Sequence, residues 1–135
     1  MPVTYRLDTS AEVVLATAHG IVTDDEFLAY ATRMVNDPLI DPAVDQLLDL
    51  RDVDDAAVMT DTIRRVAEIF RGFDPIPARS KLAIVASKDL LFGMARMYEV
   101  YRDRDEASIR VFRDIDEARR WLGLVESAAT GSNEV

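Results

Sequence analysis

Five aspartates crowd one stretch of the chain, Asp49 within the largely apolar run Gln46 to Leu50 and Asp52, Asp54, Asp55 and Asp61 after it. Carboxylates beyond the carboxyl end of a strand are placed where α/β sheets bind ligands, and a divalent cation takes oxygen donors of this kind. The spacing does not support such a site. An EF-hand loop needs acids at alternate positions, a central glycine and a distant glutamate, a pattern this stretch does not meet, so these read as solvated turn carboxylates. Asp49 as a phosphoacceptor of the receiver type lacks the paired acids that would hold magnesium. The one histidine, His19, has the range of a general base, yet no nucleophile stands near it in a motif such as G-x-S-x-G. Lys88, beyond an apolar run, could meet an anion at a helix start, but no glycine-rich phosphate loop accompanies it.

Composition narrows the classes further. Cysteine is absent, which removes thiolate catalysis, disulfides and Cys-based metal sites and agrees with a cytoplasmic home. With 25 acidic against 16 basic side chains the formal charge is -9, which repels nucleic acid and anionic headgroups. The start, MPVTYRLD, has no secretory pattern, and no apolar run approaches the roughly 20 residues of a membrane helix. No cofactor motif is present. The expectation is a cytoplasmic protein without nucleic acid, cofactor or stable membrane insertion.

The elements that would position these residues follow from periodicity. Val3 to Leu7 alternates, Asp8-Thr9-Ser10 has turn chemistry, and Glu12 to Ala18 is β-rich, which predicts a hairpin. Thr23 with Glu26 three residues on has the form of a capping box, and Phe27, Leu28, Ala31, Met34 and Val35 continue at helical spacing. Two Asp-Pro steps between Asn36 and Pro42 make an extended connection. Asp45 to Leu50 reads as a short strand ending in an acidic turn over residues 51–55. Thr60 or Asp61 would cap a helix carrying Ile63, Val66, Ala67, Ile69 and Phe70. After the Pro-containing loop Gly72 to Ser80, the stretch Lys81 to Leu124 reads as strand, helix, strand, helix. Asp89 or Ser87 would start its long helix, and Gly123 would stop the last one. Strands alternating with helices after a hairpin predict a mixed α/β sheet in one domain over residues 1–124, with residues 125–135 as a polar, flexible tail.

Gly20-Ile21-Val22-Thr23, Leu47-Leu48-Asp49-Leu50-Arg51, Ala95-Arg96-Met97-Tyr98-Glu99, and Val111 to Ala118 with Trp121-Leu122 together resemble the SpoIIAA-like family, related to STAS and SEC14-type domains. The resemblance implies a single α/β domain with a five-stranded mixed sheet and about four helices largely on one side. STAS domains of the anti-sigma-factor antagonist type carry a phosphorylatable serine in a DSSG-like turn after the equivalent of Gln46 to Leu50. This chain departs from that pattern. Residues 52–62 contain no serine and no glycine, which leaves Thr60 and Thr62 as the phosphoacceptor candidates, against the ordinary role of threonine as a helix cap.

On the long helix, Leu90, Leu91, Met94, Ala95, Met97, Tyr98, Val100 and Tyr101 fall on an arc of roughly 220°, whereas packing on a sheet needs little more than ~100°. On one reading neighbouring helices cover the flanks; on the other, Met94, Met97, Tyr98 and Tyr101, with Phe92 beside the water face, are the candidate surface for a partner or an apolar ligand. The expected function is therefore a non-enzymatic regulatory or protein-interaction module that forms a homodimer through helix 90–101. The alternative is a domain binding a small apolar ligand or lipid in the SEC14-related manner.

Overall fold

The computed structural model describes residues 2–74, 80–103 and 108–124. Five strands are present: β1 (Val3–Asp8), β2 (Val13–Thr23), β3 (Asp45–Ala57), β4 (Leu82–Val85) and β5 (Ile109–Phe112). Four helices alternate with them: α1 (Asp24–Val35), α2 (Thr60–Phe73), α3 (Asp89–Arg102) and α4 (Ile115–Trp121). The strands lie in chain order, β1 antiparallel to β2 and every later pair parallel. This is the expected mixed α/β sheet.

Strand order explains where the helices sit. Each parallel connection steps one strand in the same direction, and crossovers of one hand then place α1, α2 and α3 on the same face. Their buried side chains, including Met34, Val66, Phe70, Leu91 and Ala95, meet Val14, Ala16, Leu48 and Ile84 in the main core. Among the described residues the other face carries α4 alone, where Ala118, Leu122 and half-buried Trp121 cover Val13, Leu47, Ala83, Val85 and Phe112. β4 is buried at all four positions, which is why its sequence is a continuous apolar run rather than an alternating one.

α1 begins as its sequence dictates. Thr23 Oγ1 accepts the Glu26 N–H, and the Glu26 carboxylate accepts the Thr23 N–H at 2.9 Å, which completes the capping box. The cap of α2 differs from expectation, whereas α3 begins at Asp89 as expected. The N-cap of α2 is Met59 and that of α3 is Lys88, and neither makes a side-chain cap bond. In place of a cap, the Asp24 carboxylate reaches across from α1 to take the Met59 N–H at 2.8 Å. α4 does have its own cap, Asp114, which accepts the Asp116 N–H.

The largest departure is in β3. The strand does not end at Leu50 in an acidic turn but runs on through Ala57, paired with the upper half of β2 to Thr23. β4 stops opposite Asp49, so beyond that point β2 and β3 continue as a two-stranded ribbon. Two register shifts break their pairing, and at each β3 advances one residue further than β2. Gly20, at φ +71°, sits between them, in a backbone region that side chains disfavour. The tail expected from residue 125 onward lies outside the described residues. Among those described, no helix is long and apolar enough to cross a membrane.

Candidate functional site

The bulges have a consequence for side-chain direction. In a regular strand inward positions recur every two residues, but an extra residue at each bulge stretches the interval to three. Leu50, Val53 and Ala56 therefore all turn to the same side, against the main core, while Asp52, Asp54 and Asp55 between them stay exposed. That side faces α3. Lys88 at the helix start donates its Nζ to the Val53 carbonyl, which ties the ribbon to the first turn of α3.

Between the ribbon, the sheet, α1 and α3 lies a cavity of about 70 Å³. Leu50, Val53 and Ala56 form one wall, Leu91, Met94 and Ala95 another, with Phe27 and Tyr98 also contributing. The lining is apolar throughout. A water held there would lack the two to four polar partners it needs, so the space suits hydrocarbon better than solvent. It lies beyond the carboxyl end of β4, a common ligand position in parallel sheets. Its size sets a limit: pockets that enclose a drug-sized molecule hold roughly 300 Å³ or more.

The candidate residues of α3 separate into distinct environments. Met94 and Tyr98 line the cavity. Tyr98 is only 6 % exposed, and its hydroxyl accepts a hydrogen bond from Arg102 Nη1 at 2.9 Å, so it faces inward. Met97 and Tyr101 are half-buried against the main core, and Phe92 is half-buried beneath the Arg113 guanidinium, 4.2 Å from its ring centroid. Much of the apolar excess of the helix is thus covered within the chain. Leu90 and Val100 are not: they are 61 % and 73 % exposed, on the outward side of α3.

The acidic stretch is dispersed rather than gathered. Asp49 holds Arg51 through two bonds of 3.0 and 2.8 Å, Asp55 accepts the Ala56 N–H, and Asp61 pairs with Arg64. Among the described residues no group of three or more His, Asp or Glu side chains is arranged to hold a metal ion. Burial works to raise the Asp49 carboxyl, but its bonds with the Arg51 side chain and N–H outweigh that and hold it below the usual carboxylate range. Thr62 is buried and Thr60 is the exposed first residue of α2. His19 is exposed on the ribbon side of β2, away from any nucleophile placed by the sequence.

No family model matches the chain, and no curated protein matches it. Among solved structures it is similar to an uncharacterised protein of the DUF3478 family with a SpoIIAA-like fold, from Shewanella loihica. The two share 14 % identity with a TM-score of 0.50, over 89 % of this chain and 91 % of that one. Similarity at this identity speaks of the fold alone. In that respect the structure meets what the sequence motifs implied: the chain has a SpoIIAA-like fold.

Proposed function

We propose that the chain is a non-enzymatic, cytoplasmic binding module that takes a small apolar molecule, or the apolar end of a larger one, in the cavity between α3 and the β2–β3 ribbon. One observation carries this reading: a wholly apolar space at the carboxyl end of the parallel strands, walled by two segments tied together through Lys88 and Val53. About 70 Å³ is too little for an enclosed lipid, so the reading is narrower than a SEC14-type lipid carrier. Titration with benzene and with 1-hexanol, followed by methyl NMR shifts, tests it. Saturable shifts confined to Leu91, Val53, Met94 and Ala95, lost in Ala95→Leu, support the site; shifts that are absent or spread over the surface reject it.

A second reading, self-association through α3, is favoured by the exposure of Leu90 and Val100. Gly93 lies between them on the outward side, and nothing stands within 4 Å of where its Cβ would be. The contact would be made by Leu90, Met97 and Val100 rather than by inward-facing Tyr98. Sedimentation of the wild type against Val100→Glu decides it: a dimer that the substitution converts to monomer supports the contact, and a dimer indifferent to it does not.

A further inference from the structure

β1 is an edge strand, and its hydrogen-bond phase determines what it offers. The Pro2 carbonyl accepts the His19 N–H at 2.9 Å, so even-numbered residues of β1 exchange hydrogen bonds with β2. Val3, Tyr5 and Leu7 consequently turn their N–H and C=O groups away from the sheet. Arg33 Nη2 closes one end by donating to the Val3 carbonyl at 2.9 Å. From Tyr5 to Leu7 no hydrogen bond among the described residues reaches the outward groups.

The other edges are treated differently. Along β3 beyond Asp49, Lys88 occupies the Val53 carbonyl, and the Asp49 and Asp55 carboxylates take the N–H groups of Arg51 and Ala56. β5 is only four residues long, a common way of blunting an edge. Among the described residues, the Tyr5 to Leu7 segment is thus an open stretch of edge on β1.

Its side chains complement themselves. Arg6 and Asp8 share the face opposite the main core, beside Leu15 and Val13 of β2. The Ser10 N–H, the Ser10 hydroxyl and the Ala11 N–H all bind Asp8 Oδ1, which leaves Oδ2 outside the turn. We propose that β1 pairs antiparallel with β1 of a second copy across a two-fold axis, Leu7 opposite Leu7, so that Arg6 of each copy stands opposite Asp8 of the other. Two neighbouring registers are disfavoured. An axis at Arg6 sets like charges face to face, and an axis at Tyr5 requires the Val3 carbonyl that Arg33 already holds. A strand edge buries little surface and the two copies each carry -9, so the association is weak and concentration-dependent.

The test combines sedimentation equilibrium with amide exchange by NMR over a range of protein concentrations. A monomer–dimer equilibrium is expected in which the Leu7 amide, paired with Leu7 of the other copy, gains most protection as concentration rises, and the Tyr5 amide, opposite Thr9 at the other copy's turn, gains less. Arg6 is exposed, so Arg6→Asp retains the fold; it should weaken the dimer about tenfold, while the matched change Arg65→Asp on α2 leaves it unchanged. A protein monomeric throughout, with both amides exchanging freely, overturns the proposal. So does a dimer whose Tyr5 and Leu7 amides stay unprotected, since the contact is then elsewhere. Protection that does not vary with concentration also overturns it, because another segment or another protein then occupies the edge.

Discussion

The guanidinium of Arg102 grips the carboxylate of Asp74, with Nη2 2.7 Å from Oδ1 and Nε 3.2 Å from Oδ2. The bridge joins the last residue of α3 to the C-cap of α2, and Arg102 is 1 % exposed, lying over the Phe70 and Tyr98 rings. Burial works against its charge, and Tyr98 and Asp74 more than restore it. The two halves of the bridge should not be equivalent on mutation. Asp74→Ala strands a guanidinium that cannot lose its proton, at a cost of about 3 to 5 kcal/mol. Arg102→Met leaves a carboxylate that is 11 % exposed and can take a proton or water, so its cost should be smaller. Urea unfolding of both variants measures the difference, and equal costs would refute the asymmetry.

Gly20 sets the course of the ribbon. Its φ of +71° falls between the two register shifts, and a Cβ there meets no atom within 4 Å, so space is not the constraint. Gly20→Ala should then cost roughly 1 to 2 kcal/mol from backbone strain alone. Gly93, helical and exposed, serves as the control: Gly93→Ala should stabilise by up to about 1 kcal/mol. Thermal unfolding of the pair tests the opposite signs.

Acid should weaken the fold through a small set of carboxylates. Asp8 is held below the usual range first by the Ser10 hydroxyl and then by the Ala11 N–H, and Asp37 first by the Leu39 N–H and then by the Tyr5 hydroxyl. Asp49 joins them because Arg51 outweighs its burial. A carboxyl with a depressed folded pKa contributes stability above its unfolded value and loses it as pH falls through the folded one. Urea midpoints are expected to hold above about pH 5 and to fall below about pH 4. Asp49→Asn should lower the midpoint at neutral pH and shrink the acid-dependent part.

Two tyrosines predict the alkaline limb. Burial foremost pushes Tyr30 far above the ordinary tyrosine range, and Tyr5 is raised by burial and then by its bond to Asp37. Their stabilisation is complete below about pH 10, where neither state ionises, and is lost as pH rises and the unfolded chain ionises first. Among the described residues the Tyr30 hydroxyl makes no hydrogen bond, so Tyr30→Phe removes none. It should leave neutral-pH stability unchanged or raise it by up to about 1 kcal/mol, while reducing the loss above pH 10. A large loss at neutral pH would show that the hydroxyl has a partner.

Local signals fixed much of this architecture from the residues alone. Thr23 and Glu26 specified the start of α1 because a capping box needs only neighbours three apart, and Leu82 to Val85 declared a strand covered on both faces by having no polar position. The alternation of Val3 to Leu7 placed the hairpin for the same reason. Those features depend on short-range geometry, which sequence spacing reports directly. The cavity wall was hidden because two bulges move Leu50, Val53 and Ala56 to intervals of three, matching neither the strand period nor a helix, inside a run whose charge reads as a turn. The fate of the α3 excess was undetermined for a different reason. Helical spacing gives the angle of Tyr98 and Val100 about one axis, but only the packing of α1, α2 and the ribbon around that axis decided that Tyr98 is buried and Val100 exposed.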